Sequence, residues 1–88
     1  MEKLSKLERE AKRKFSIVCY RDGSFQVVKK CLFGLLHTSN YKVYKIYFTE
    51  SNNRFYSLEK AKEHLKKVRG LYIYECEEYE KNKVIENY

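Results

Sequence analysis

Apolar residues recur at two different periods along this chain. Over residues 2–14, Leu4, Leu7 and Ala11 fall at i, i+3 and i+7, and Phe15 extends the stripe. That spacing predicts an amphipathic helix. Glu2–Lys6, Glu8–Lys12 and Glu10–Lys14 stand i, i+4 in the favourable order. The stripe is narrow, so the helix either docks on the rest of the chain or stays a basic arm that folds on binding. From Phe15 the period drops to two. Asp22-Gly23 interrupts it with the strongest short turn signal available, because both positions of a type I′ turn need positive φ. Residues 15–30 are therefore expected to form a β-hairpin with a two-residue loop. It pairs Arg21 with Ser24, Tyr20 with Phe25 and Val18 with Val27, which puts Val18, Tyr20, Phe25 and Val27 on one core face.

The second half repeats the alternation. Tyr41 to Phe48 reads as one eight-residue strand: either Tyr44, Ile46 and Phe48 face inward and Tyr41, Val43, Lys45 and Tyr47 outward, or the assignment is inverted and buries Val43 and Tyr47. Ser51-Asn52-Asn53 is a turn, and Arg54-Phe55-Tyr56 a short return. Ser57 is placed to cap a helix. Leu58, Ala61, Leu65 and Val68 give that helix an apolar face, and Gly70 stops it. Leu71-Tyr72-Ile73-Tyr74 is expected to be a further strand, followed by an acidic tail. Between the two halves, Cys31 to Leu36 either extends the hairpin, with Gly34 as a bulge, or forms an apolar linker, and His37 to Asn40 reads as a turn. The expected fold class is α+β: a small, mostly antiparallel sheet of three to five strands, one helix packed on a face, and an N-terminal amphipathic helix. The expected divisions are a basic helix or arm at 1–14, an α+β core at 15–76 and an acidic then mixed tail at 77–88.

Composition sharpens this picture in three ways. Eighty-eight residues make one domain with a thin core, so nine Tyr and five Phe must supply much of its volume. The formal charge of +7 lies wholly in the first half, where residues 1–49 carry eleven Lys/Arg against four Asp/Glu. Such a half-chain either solubilises the protein or meets an anionic partner. Cys19, Cys31 and Cys76 are widely spaced and odd in number, which predicts small buried hydrophobes in a reducing compartment rather than disulfides. No apolar leader follows Met1, and no apolar run is long enough to span a bilayer. The expectation is a cytoplasmic, intracellular protein that does not use a membrane.

Catalytic patterns are weak. His37 and His64 stand apart from the cysteines, with no ligand pair at zinc spacing. His64 is expected at the solvent edge of its helix. No Gly-rich phosphate loop occurs, and clustered carboxylates appear only in the uncovered tail. No enzyme activity, metal or cofactor is expected. The stronger signal is a basic, tyrosine-rich surface. Tyr41, Lys45 and Tyr47 on the outward strand face interleave rings and cations, as stacking on bases with phosphate pairing requires. Arg21, Lys29 and Lys30 add to it from the hairpin, and Arg9, Lys12, Arg13 and Lys14 form a cluster suited to clamp a backbone. At the opposite pole, Glu75, Glu77, Glu78 and Glu80 are candidates for an acidic protein interface.

The meander feeding a helix that begins Ser57-Leu58-Glu59-Lys60-Ala61 is similar to the arm-type DNA-binding domains of phage integrases. That resemblance covers only the middle of the chain and implies that Tyr41 to Tyr56 would enter a major groove. The α-β-β-β-α order also looks like a double-stranded-RNA-binding domain, without that family's Gly- and Lys-rich entry to its second helix. In size and in its Lys-, Asn-, Ile- and Tyr-rich usage the chain looks like small accessory proteins of phages and mobile elements. Anti-CRISPR inhibitors are among these, and that likeness implies blocking a host complex. None of these likenesses assigns a family. The leading expectation is a small non-enzymatic binding protein that docks on a protein complex handling nucleic acid. The alternative is direct nucleic-acid binding through the basic, tyrosine-rich sheet face. A homodimer through Cys31–Leu36 remains open.

Overall fold

The computed structural model describes residues 2–31 and 36–81. Helix α1 (Glu2–Lys14) runs directly into strand β1 (Phe15–Cys19). Strands β2 (Phe25–Cys31), β3 (Leu36–Thr38), β4 (Tyr41–Val43), β5 (Ile46–Phe48) and β6 (Arg54–Phe55) follow, and helix α2 (Leu58–Lys81) closes the described chain. The class is α+β, with an N-terminal helix and a second helix packed on the sheet. The central strand is β2, paired antiparallel to β1 on one edge and to β3 and β6 on the other. Strands β4 and β5 form a separate two-stranded ribbon.

The first hairpin forms where expected, but its register differs by one residue. Val18 faces Gln26, and Ile17 faces Val27. The loop holds three residues, Arg21 to Gly23, closed by Gly23 N–H to Tyr20 O (3.0 Å) and Tyr20 N–H to Ser24 O (2.9 Å). Gly23 supplies the left-handed residue, with φ 88°. Asp22 Oδ1 accepts from Ser24 N–H (2.9 Å) and Ser24 Oγ–H (2.6 Å), which favours this wider loop over a two-residue one. A one-residue slip exchanges the faces of one strand relative to the other. Phe15 and Ile17 therefore join Val27 in the core, while Val18 and Tyr20 lie on the opposite side with Gln26.

The expected long strand over 41–48 is two strands. Tyr44 and Lys45 both have positive φ (48° and 70°) and form a type I′ turn without Gly, Asn or Asp. Phe48 inward and Lys45 and Tyr47 outward hold as expected, whereas Tyr41, Val43 and Ile46 face the opposite way from the first sequence assignment. Tyr41, Val43 and Phe48 are buried, and Ile46 is exposed.

Helix α2 does not stop at Gly70. Ala61, Leu65, Val68 and Tyr72 continue one helical stripe through it, and Leu71 to Tyr74 are helical rather than a strand. Packing of that stripe over Phe15, Val27 and the β4–β5 ribbon offsets the ~1 kcal/mol that a helical glycine costs. Ser57 caps the start as expected, its Oγ accepting from Lys60 N–H at 3.4 Å. Leu58, expected on the apolar face, is largely exposed.

Helix α1 packs on α2, β1 and β2, with Ala11 buried. At its junction with β1, Arg69 of α2 donates to Phe15 O (2.7 Å) in the strand and to Lys12 O (3.5 Å) in the helix. The expected turn at His37–Asn40 is shorter than read, because His37 and Thr38 belong to β3. Cys19 is exposed rather than buried, Cys31 and Cys76 are half-buried, and all three are free. The proposed bulge at Gly34 and most of the Cys31–Leu36 dimer surface lie outside the described residues.

Candidate functional site

The β4–β5 ribbon presents the first surface. Its inner face, Tyr41, Val43 and Phe48, is fixed in the core against Phe15 and Val68. Its outer face pairs Lys42 directly with Tyr47 across the strands. The Lys42 Nζ lies 5.1 Å from the Tyr47 ring centroid, and Tyr47 is 70% exposed. Lys45 projects at the turn beside them and is exposed.

The turn itself is anchored to α2. Tyr44 N–H donates to Glu75 (3.2 Å), Tyr44 O–H donates to both oxygens of Glu78 (3.1 and 3.3 Å), and the Tyr44 ring stacks on Tyr74 at 4.8 Å. The neighbouring Tyr74 hydroxyl and then the Glu78 carboxylate disfavour ionisation of Tyr44, whose pKa is pushed up to about 12. Two of the expected acidic interface residues, the exposed Glu75 and half-buried Glu78, are thus engaged in holding the ribbon. Glu77 is exposed, and the side chain of Glu80 lies outside the described part.

Tyr41 cannot serve as a stacking residue. Its ring packs between Phe15 and Phe48, each with its centroid 5.5 Å away. Its hydroxyl donates to Val27 O (3.1 Å) and Asn53 Oδ1 (3.3 Å), and burial raises its pKa. His64 is likewise not at the solvent edge. Its ring packs against Phe48 and Phe55, and Nε2 lies 2.8 Å from Asn53 Oδ1. An amide oxygen only accepts, so His64 carries its proton on Nε2. Burial, with Lys67 nearby, lowers its pKa. Asn53 is fully buried and donates through Nδ2 to Ser39 O (3.0 Å). This trio holds the 49–53 turn to the strands and the helix. Among the described residues, no group of three His, Cys, Asp or Glu converges to hold a metal ion.

The second surface is the outward face of α1. Lys6, Arg9, Lys12 and Arg13 line one shallow groove on the side away from buried Ala11. Lys14 belongs elsewhere, its Nζ 5.6 Å from the Tyr72 ring centroid at the α1–α2 contact. Among the described residues the one ion pair is Arg54 with Asp22, at 3.8 Å. The i, i+4 pairs expected on α1 from Glu8 and Glu10 do not close.

The remaining candidates do not assemble into one patch. Arg21 sits in the β1–β2 loop, whereas Lys29 and Lys30 lie at the far end of β2, roughly 20 Å away by strand rise. Lys29 is half-buried on the Phe15 side, and Lys30 is exposed opposite His37. Sequence reasoning missed Lys42, which becomes a surface partner of Tyr47 only because the strand folds back at Tyr44-Lys45. It also missed Lys6, although its spacing of three and seven from Arg9 and Arg13 was visible.

No family model matches the chain, and neither a curated protein nor a solved structure matches it. Among the described residues, no helix is long and apolar enough to cross a membrane.

Proposed function

We propose that this is a small cytoplasmic binding protein without catalysis of its own, which docks on a macromolecular partner. A phage or mobile-element accessory that blocks a nucleic-acid-handling complex, in the manner of anti-CRISPR inhibitors, is the form suggested by its size and composition. The observation that supports docking is the outer face of the β4–β5 ribbon. A tyrosine 70% exposed is held on a ribbon whose other face is core, with Lys42 against its ring and Lys45 beside it. A tyrosine presented this way binds at low entropic cost, because its backbone is already ordered.

Capture from a host lysate with immobilised protein tests this. A protein partner retained after nuclease treatment by the wild type, and lost by Lys42→Glu with Tyr47→Ala, is the expected result. Recovery of no protein once nucleic acid is digested overturns it.

Direct nucleic-acid binding is the second reading, and a different observation favours it: the cationic face of α1, which lies on another part of the molecule.

A further inference from the structure

We infer that the outward face of α1 is a docking site for the phosphate backbone of double-stranded DNA, taken without reading its sequence. The inference rests on direct nucleic-acid binding, the second reading, and gives it a place and a partner.

Four cations, Lys6, Arg9, Lys12 and Arg13, line this face, with the exposed Glu8 and half-buried Glu10 at its two borders. Basic residues in the last turn of a helix ordinarily complement its negative end. Here the Arg69 guanidinium of α2 already stands at that end, donating to Lys12 O at 3.5 Å and to Phe15 O of β1 at 2.7 Å. The side chains of Lys12 and Arg13 are thereby left for another use.

The chemistry of the face selects among anionic partners. Lasting attachment to a membrane takes an apolar helix face beside the charges, and in α1 Ala11 is already buried in the interior. A protein interface needs an apolar or aromatic centre, and this groove has none. Single-stranded nucleic acid is held largely by base stacking on rings, and the face carries no ring. What remains matched is a regular array of phosphates. Lys6, Arg9 and Arg13 step along the axis by roughly 4.5 and 6 Å, from a rise of about 1.5 Å per residue. With α1 packed against α2 and the sheet, the helix lies on the backbone and does not enter a groove, so base edges stay out of reach.

The test is fluorescence anisotropy of labelled DNA duplexes of unrelated sequence across a salt series. Wild-type affinity is expected to fall on the order of a hundredfold between ~50 and ~200 mM salt if four phosphates are neutralised. The triple variant Lys6→Gln, Arg9→Gln, Arg13→Gln is expected to reduce the logarithmic salt slope by roughly 2.7, about 0.9 for each phosphate no longer neutralised. Lys42→Glu with Tyr47→Ala should leave duplex binding in place. Equal binding by the triple variant overturns the inference, as does preference for one sequence, for single strands or for duplex RNA. If the ribbon variant instead loses duplex binding while the α1 variant keeps it, nucleic-acid binding stands and its placement on α1 is wrong. If wild type binds no nucleic acid at ~50 mM salt, both fall. Should the triple variant melt early, acetylation of Lys6 and Lys12 in the wild type decides. Bound duplex should shield both, and full reactivity would reject the site.

Discussion

The two hairpins turn by opposite means. The β1–β2 loop is built from its own residues: Gly23 supplies the left-handed backbone, and Asp22 accepts both donors of Ser24. The β4–β5 turn has none of this chemistry. Tyr44 and Lys45 take left-handed conformations that cost L-residues on the order of 1–2 kcal/mol each, and the turn is held by Glu75, Glu78 and Tyr74 of a helix far along the chain. One hairpin is encoded locally and the other is imposed by tertiary contacts. The imposed hairpin carries the exposed Lys42 and Tyr47.

If that contrast is right, the most damaging change to the β4–β5 ribbon lies outside it. Asn53→Ala removes the acceptor for Tyr41 and His64 and the donor to Ser39 O. It is expected to cost about 3 kcal/mol in denaturant melts, because buried partners lose their bonds. Gly23→Val attacks the local hairpin. The space around Gly23 is open, so the cost is backbone strain alone at φ 88°, about 2 kcal/mol in the same assay. A penalty below half that would mean that the loop readjusts without its glycine.

The two turns should also fail at opposite ends of the pH scale. Hydrogen bonds from Ser24 lower the Asp22 pKa, so its contribution is present above the ordinary value of 3.8 and is lost as pH falls below it. Tyr44 is raised from 10 to about 12, so its contribution is present below pH 10 and is lost as pH rises through that window. Asp22→Asn should flatten the acid limb and Tyr44→Phe the alkaline limb of a stability profile. His64, with its lowered pKa, adds a separate loss below its ordinary 6.5. An alkaline limb unchanged in Tyr44→Phe would remove Tyr44 from the anchor.

Smallest in effect is Lys45→Gly, expected to stabilise by ~0.5 kcal/mol as relief of strain outweighs added chain entropy. Combined with Glu78→Gln it should show coupling, since a turn that is no longer strained needs its anchor less. Strict additivity would show that turn and helix act independently.

The same contrast decides what could be read beforehand. Helix α1, the Ser57 cap and the first hairpin follow from local signals, and they form. The register of that hairpin does not follow, because Asp22-Gly23 suits both a two-residue and a three-residue loop, and only Ser24 within reach of Asp22 separates them. The break at Tyr44-Lys45 has no local signal at all. Leu71 to Tyr74 alternates like a strand and also completes the helical stripe from Ala61, and packing on the ribbon selects the helix. Errors about the candidate surface follow from that missed turn. Unbroken, the strand would have exposed Tyr41; folded back, it buries Tyr41 and brings Lys42 beside Tyr47. On the α1 face the error is smaller: Arg9, Lys12 and Arg13 are legible from local spacing, while Lys6 takes the place expected of Lys14, which turns to Tyr72.

The Arg69 bond to Phe15 O spans 54 residues of chain. During synthesis, the guanidinium that clamps the α1–β1 junction is made only long after both elements. Until then the junction of α1 with β1 lacks this bond, and α1 has β1, β2 and only part of α2 to pack on. A chain cut before residue 69 would therefore join α1 to β1 without that clamp.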